Sequence, residues 1–120
     1  MSASRPRQAE LLAECAHGDD ACTLRLHLPP GLAHFAGHFP GAPVLPGVVQ
    51  VQWALALAAP RMGLAARCRS MDALKFQRPM RPGDTVELAL RFDRARGCLH
   101  FAYRRDGEPC ASGRLQVEAA

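Results

Sequence analysis

His38 is the side chain best suited to proton transfer, because it lies in a stiff loop that leads into a predicted helix. Residues 34–47 contain three Pro and three Gly, so this stretch cannot form a continuous helix or a central strand. Backbone N–H groups at the start of a helix are unpaired and lie at the positive end of its dipole. Such donors bind a developing oxyanion, for example a thioester carbonyl that becomes an enolate, and a neighbouring His acts as general base. The alternative is that His38 is a polar loop residue with a structural hydrogen bond.

The helix after this loop is predicted to run from Val48 to Ala59, with Pro46 at its start and Pro60 as its breaker. Its residues leave almost no polar face. A helix that is apolar on all sides is normally buried in a core, so the rest of the chain must wrap around it.

Alternating apolar and polar residues predict β-strands on both sides of the helix, at 21–28, 68–79, 84–93, 97–105 and 109–118. Residues 8–16 either pair with 21–28 as a hairpin or form a short helix. One buried helix before an antiparallel meander predicts an α+β fold, in which a curled antiparallel sheet wraps around one central buried helix. That is the hot-dog arrangement. The chain has 120 residues, and we expect residues 1–120 to form a single hot-dog domain.

The composition limits the function classes that need attention. The net charge is +4, but the basic residues are scattered in ones and twos, so nucleic acid is not indicated as a partner. The five cysteines are odd in number and form no CxxC pair, which favours reduced thiols in the cytoplasm over a disulfide framework. No signal peptide or membrane-spanning stretch is predicted, because the longest apolar run is 51–60 and a span takes about 20 residues.

Two segments carry a resemblance to a known family. HFPGAPVLPGV at positions 38–48 is similar to the signature of the hot-dog-fold beta-hydroxyacyl-ACP dehydratases, the FabA/FabZ-like enzymes with their ApeI-like subgroup. KFQRPMRPGD at positions 75–84 resembles a second family segment, in which an aromatic-containing strand runs into a Pro-Gly-Asp turn. The first motif is long and specific, whereas the second is shared more widely among hot-dog proteins.

The resemblance implies a role for each residue that matches the motif. His38 corresponds to the base that acts on the carbon next to the thioester. The backbone N–H groups of Val44 and Gly47 correspond to the oxyanion donors, and Phe39 and Pro40 beside the base are expected to contact substrate. The implied function is an acyl-thioester dehydratase acting on 3-hydroxyacyl chains carried on acyl carrier protein.

The same resemblance implies the partners. The substrate is expected to arrive on acyl carrier protein or as a CoA thioester, without a cofactor, a membrane or nucleic acid. In the family two hot-dogs pair side by side with the active sites at their interface, so we expect a homodimer or a dimer-based oligomer. Arg78 and Arg81 near the second motif either meet the phosphopantetheine or an acidic carrier protein, or are simply solvated.

The sequence departs from the family at Gln52. The family has Glu or Asp fourteen positions after the motif His, and this position is Gln52; the stretch 21–70 contains no acidic residue to replace it. A Gln amide cannot deliver a proton at neutral pH. Three alternatives follow. His38 makes both proton transfers while Gln52 orients the hydroxyl or a water, or the chemistry has shifted to thioester hydrolysis or isomerisation. In the third alternative the chain is a catalytically attenuated binding or partner subunit. A buried Gln52 satisfied by backbone is the structural alternative.

Three further residues near the motif are candidates for a site, namely His34, Trp53 and Gln50. His34 and His38 lie four apart, but the surrounding Gly and Pro argue against a helix and no third ligand is evident, so no metal site is predicted. Trp53 either lines an acyl tunnel and contacts substrate or is part of the core. Gln50 is two residues from Gln52 and is expected to point elsewhere, towards the dimer partner.

Overall fold

The computed structural model describes residues 8–32 and 43–120, which form one helix and one sheet. The elements in chain order are β1 (Glu10–Ala16), β2 (Ala21–His27), α1 (Gly47–Met62), β3 (Leu64–Phe76), β4 (Thr85–Asp93), β5 (Cys98–Arg105) and β6 (Glu108–Ala119). The strands are arranged in the order β1-β2-β4-β5-β6-β3, and every neighbouring pair is antiparallel. Strands β1 and β3 are the two edges of the sheet.

The period-two pattern in the sequence becomes the two faces of the sheet. Along β4 the even-numbered residues from Val86 to Phe92 are buried, and the side chains between them are more exposed. β5 behaves in the same way, with Leu99, Phe101 and Tyr103 on the buried face. The apolar faces of these strands meet α1, which packs against β3 and β4. The strands predicted from 21, 84, 97 and 109 onward are confirmed, and the 8–16 segment is a strand rather than a helix.

The predicted end of the helix at Pro60 is wrong. Helix α1 contains Pro60 and continues to Met62, and it ends at Gly63 in the left-handed conformation, with φ 65° and ψ 45°. The Gly63 N–H donates to the Ala59 carbonyl and closes the last turn. Pro60 is exposed, so the carbonyl that loses its intrahelical partner lies on the solvent side near the helix end, where the break is tolerated.

The prediction that α1 is buried on all sides also needs correction. Val48, Gln52, Ala56 and Pro60 are exposed, and Val48 retains 61% of its accessible surface. These four positions repeat every four residues and therefore form one stripe along the helix. The sheet of this chain covers the rest of α1 but leaves that stripe open.

Strand β3 begins at Leu64, four residues earlier than the sequence predicted, and it is irregular. Its pairing with β6 shifts register at three places, and Ala73 has a positive φ of 52°. Most of β3 is exposed because it is an edge strand. Among the described residues no helix has the length and apolar character needed to cross a bilayer.

Candidate active site at the start of the helix

The N-terminus of α1 offers backbone donors with no side chain competing for them. Pro46 precedes the helix in an extended conformation, with φ −60° and ψ 144°, and no side chain caps the first turn. The N–H groups of Val49 and Gln50 both donate to the Pro46 carbonyl, at 3.1 Å and 3.2 Å. Within residues 8–32 and 43–120, no acceptor faces the N–H of Gly47. The first turn contains no acidic residue, so its positive potential is not neutralised locally.

The segment before the helix is held in place from two sides. The Leu45 N–H donates to the carbonyl of Met80 at 2.8 Å, which ties this segment to the connection between β3 and β4. The Leu45 carbonyl accepts from Nε2 of Gln50 at 3.1 Å. Both backbone groups of Leu45 are thus used, which anchors the residue next to Val44.

A cavity of about 310 Å³ opens beside these donors. Val44, Leu45, Gly47 and Gln50 line it on the helix side, and residues 76–79 at the end of β3 line it on the sheet side. Two larger depressions lie on other parts of the sheet and contain none of the predicted site residues. Of these three depressions, the cavity beside α1 is therefore the one that is lined by predicted oxyanion donors.

Gly47 lies in close approach to the ring of Phe76. A Cβ atom at Gly47 would lie 2.9 Å from two carbons of the Phe76 ring, which is closer than van der Waals contact. Phe76 covers this glycine from β3 and is itself half exposed, at 51%. The aromatic-containing strand of the second motif therefore meets the glycine of the first motif.

The structure places the predicted site residues in different environments. Val44 and Gly47 both line the cavity, and their role as oxyanion donors stays a prediction. Gln52 is exposed on the open stripe of α1, so the structural alternative of a buried Gln52 is wrong for the single chain. Trp53 is only 7% exposed and belongs to the core, and its contact with substrate stays a prediction. His38, Phe39 and Pro40, with His34, lie outside the described residues.

Gln50 is the functional candidate that the sequence interpretation missed. The prediction that Gln50 points towards a dimer partner is wrong, because this residue lies inside the chain with 4% exposure. Its backbone carbonyl accepts a 2.6 Å hydrogen bond from the hydroxyl of Tyr103, and burial raises the pKa of Tyr103, so this hydroxyl stays protonated as a donor. The two Gln in an otherwise apolar part of the helix were the available signal, because a buried amide needs a hydrogen-bond partner.

The remaining polar groups near the cavity are structural. Arg78 forms an ion pair with Glu108 at 2.5 Å, so its charge is already partly neutralised. The Arg81 N–H donates to the carboxylate of Asp84, which closes the Pro-Gly-Asp turn. No cluster of His, Cys, Asp or Glu that would hold a metal ion occurs in the described parts of the chain.

Solved structures resemble the whole of this fold. A chain of the dehydratase heterocomplex ApeI:P from Xenorhabdus doucetiae superposes with a TM-score of 0.86 and 29% identity, over 92% of this chain and 98% of that one. The PaaI protein of the E. coli phenylacetic acid degradation operon, at 18% identity and a TM-score of 0.63, shows the fold alone. The hot-dog fold predicted from the sequence is confirmed, with the sheet open rather than closed into a barrel.

Curated relatives agree with the fold comparison. The 3-hydroxyacyl-[acyl-carrier-protein] dehydratase FabZ of Oenococcus oeni is 38% identical over 91 residues, which cover 68% of this chain and 66% of the relative. The FabZ of Roseiflexus sp. (strain RS-1) is 38% identical over 73 residues, which cover 55% of this chain and 51% of the relative. The chain thus spans about half to two thirds of the length of these relatives. The ApeI-like family, described as ApeI dehydratase, matches residues 14–114, which include the cavity and all of α1. The chain belongs to the ApeI-like dehydratase family.

Proposed function

We propose that this protein is an acyl-thioester dehydratase that acts on 3-hydroxyacyl chains carried on acyl carrier protein. The observation that carries the proposal is that the residues matched by the family include the start of α1 and its backbone donors. The match over residues 14–114 includes the unpaired N–H of Gly47 and the adjoining cavity. Donors at a helix N-terminus stabilise the negative charge that develops on a thioester oxygen.

The reaction removes one molecule of water from the substrate. His38 takes a proton from the carbon next to the thioester, and the N–H groups of Val44 and Gly47 hold the oxyanion that forms. The carbon–oxygen bond at C3 then breaks as the C2–C3 double bond forms. His38 returns its proton to the departing hydroxyl, which leaves as water, so atoms and charge balance without a cofactor. Phe39 and Pro40 keep the chain beside His38.

Gln52 is proposed to orient the hydroxyl rather than to protonate it. Its amide has a donor N–H and an acceptor oxygen but no proton to release at neutral pH. The loss of a general acid typically costs on the order of 10²–10⁴ in rate. Gln52 points out of the chain on the exposed stripe, away from the cavity that Gln50 lines. We therefore infer that it serves a site completed by a second subunit, in a homodimer in the cytoplasm.

Turnover of a 3-hydroxyacyl or enoyl thioester on acyl carrier protein tests this proposal. We expect the wild type to change the enoyl absorbance without releasing a free thiol, and the His38→Ala variant to lose at least 100-fold in rate. His17→Ala, at an exposed histidine of the β1–β2 turn, is the matched control and keeps its rate. Equal rates for the wild type and His38→Ala would contradict the role of His38, and thiol release would instead support a thioesterase.

A second candidate function is a partner subunit of a heteromeric dehydratase. Two observations favour it: the missing acid at Gln52, and the similarity to a chain whose structure is titled a dehydratase heterocomplex. This candidate predicts no turnover by the isolated chain.

The Gln52→Glu variant separates the two candidates. An attenuated dehydratase site gains rate when the family acid is restored, whereas a partner subunit stays inactive. Gln116→Glu, on the exposed side of β6, makes the same charge change far from α1 and is the control. A loss of rate in Gln52→Glu would show that the amide has a role of its own.

A further inference from the structure

Gln50 carries a buried hydrogen-bond acceptor without a partner. Among the described residues it is the one amide or charged side chain that is buried, and its Oε1 atom has no donor there. Unpaired buried acceptors are rare in folded proteins because each one lowers stability. An amide that is kept in such a position therefore calls for a donor that the described part of the chain does not supply.

The orientation of the Gln50 amide is determined by its neighbour. Nε2 donates to the Leu45 carbonyl at 3.1 Å. The opposite orientation would place Oε1 against that carbonyl, so two acceptors would face each other. The atom without a partner is thus Oε1, an acceptor, and only an N–H or O–H donor can satisfy it.

The unpaired acceptor belongs to the wall of the candidate active site. Gln50 lines the same 310 Å³ cavity as Val44 and Gly47, and Phe76 closes that cavity from β3. Its backbone is fixed as well, because the Tyr103 hydroxyl holds its carbonyl at 2.6 Å. A fixed acceptor in a cavity of this size is a feature of a ligand-binding site rather than of a core.

We propose that Gln50 is a substrate-binding residue whose side-chain oxygen accepts a hydrogen bond from a donor on the bound thioester. This inference rests on the proposed function. A hydrocarbon chain and a thioester group have no donor, so the donor belongs either to the pantetheine arm, through an amide N–H or its pantoyl hydroxyl, or to the 3-hydroxyl of the acyl chain. Gln50 fixes how far the substrate enters the cavity and so places the thioester beside the Gly47 N–H.

The Gln50→Met variant keeps the volume of the side chain and removes both polar atoms. We expect it to fold with a melting temperature close to that of the wild type, because it removes the unpaired Oε1 atom but leaves the Leu45 carbonyl without its donor. We expect its KM to rise about tenfold with a smaller change in kcat, since a binding contact of about 1.4 kcal/mol corresponds to a factor of ten. Gln116→Met is the matched control, because Gln116 is exposed on β6 and does not line this cavity.

Two ligands identify the donor. Pantetheine alone has the amide groups but no 3-hydroxyl, and an enoyl thioester in the hydration direction lacks the hydroxyl as well. Weaker pantetheine binding by Gln50→Met in calorimetry points to a donor on the pantetheine arm. A raised KM for the 3-hydroxyacyl substrate alone, with pantetheine binding unchanged, points to the hydroxyl.

The outcomes that overturn the inference differ from failure of the proposed function. A Gln50→Met variant that melts lower but keeps its KM and its pantetheine affinity shows a purely structural Gln50. If that variant does not fold, Gln50→Asn retracts the oxygen by one methylene and keeps the amide, and the same measurements apply to it. A wild type without turnover but with pantetheine binding that Gln50→Met weakens would reject the reaction and retain the binding role. A wild type with neither property contradicts both.

Discussion

At the residue scale, two glutamines of α1 that are separated by one residue differ completely in burial. Gln50 is buried against Leu45 and the cavity, whereas Gln52 is exposed on the open stripe of α1. Residues two apart on a helix are rotated by about 200° around its axis, so they cannot share a site. The sequence predicted this separation correctly. It did not predict which of the two would be inside, because that depends on how the sheet is placed around the helix.

The close contact at Gly47 leads to a prediction about the oxyanion position. In Gly47→Ala the new methyl group would meet the Phe76 ring at 2.9 Å. Because Phe76 is half exposed, its ring can move, and we expect a loss of about 1 kcal/mol or less in the free energy of unfolding. The displaced ring narrows the cavity, so kcat/KM should fall at least tenfold. Steady-state kinetics and urea unfolding measure the two effects.

Gly31→Ala is the control for this change. A Cβ at Gly31 meets nothing within 4 Å, so we expect both stability and kcat/KM to be unchanged. A Gly47→Ala enzyme with wild-type kcat/KM would mean that substrate does not approach this N–H.

His100 on the outer face of the sheet gives a prediction about charge. Its pKa is lowered from the usual 6.5, first by burial and then by Arg91 and Arg114; Asp93 opposes this shift. Arg91 and Arg114 are its cross-strand neighbours in β4 and β6. In a histidine titration by NMR, Arg91→Gln should therefore raise the pKa of His100. Arg104→Gln, which alters a charge outside this row, should leave it unchanged.

The same group makes stability depend on pH in a defined direction. Because the folded-state pKa of His100 lies below 6.5, the unfolded chain binds more protons as the pH falls through 6.5. The stability of the wild type is therefore lost between pH 6.5 and the folded pKa, and is not lost further below it. His100→Gln removes this part of the acid sensitivity. Urea unfolding at pH 8 and pH 5 compares the two proteins, and an identical pH dependence would contradict the lowered pKa.

At the element scale the sequence predicts most of the strands, but it is wrong about where the helix ends and about its burial on all sides. Alternation identified β2, β4, β5 and β6 because each has one face on the core. For β1 the sequence does not decide between strand and helix, since all of its residues are exposed and no buried face marks its period. The sequence predicts Pro60 as a helix breaker, because it does not show that the helix ends only two residues later.

Gly113 in β6 tests how tightly the sheet elements meet at the irregular strand β3. A Cβ there would lie 2.5 Å from Cδ2 of Leu74 and 2.8 Å from Cε2 of Phe101. Phe101 is buried and cannot move away, so Gly113→Ala should lower the free energy of unfolding by about 1–3 kcal/mol. Equilibrium urea unfolding measures this change.

A double-mutant cycle assigns the clash to its partners. Leu74→Ala in the Gly113→Ala background should restore only part of the loss, because the Phe101 ring remains in place. Ser112→Ala, at the adjacent residue on the opposite face of β6, should stay within about 0.5 kcal/mol of the wild type. Full additivity of the Leu74 and Gly113 changes would show that the two side chains do not meet.

At the scale of the whole molecule, the two edges of the sheet differ in what lies beside them. Strand β3 carries the exposed apolar side chains Met71, Leu74 and Phe76, and Phe76 contacts the start of α1, where Val48 is exposed. Strand β1 carries exposed Leu11 and Leu12, and its Glu14 forms an ion pair with Arg61 near the other end of α1. An unpaired edge strand next to a contiguous apolar surface is a template for pairing with another chain. The active-site helix and the expected interface thus lie on the same side of the molecule.

Met71 and Leu12 therefore form a matched pair for a test of assembly, since they are 52% and 50% exposed on opposite edges of the same sheet. We expect the wild type to be a dimer by size-exclusion chromatography with light scattering. Met71→Glu should dissociate it, because two carboxylates would then be buried without partners at the interface, which weakens association on the order of 100-fold or more. Leu12→Glu should remain a dimer. Turnover should fall with dissociation if Gln52 acts, as we propose, on a site shared by two subunits. A monomeric wild type, or dissociation by Leu12→Glu but not by Met71→Glu, would contradict the shared site and place the interface elsewhere.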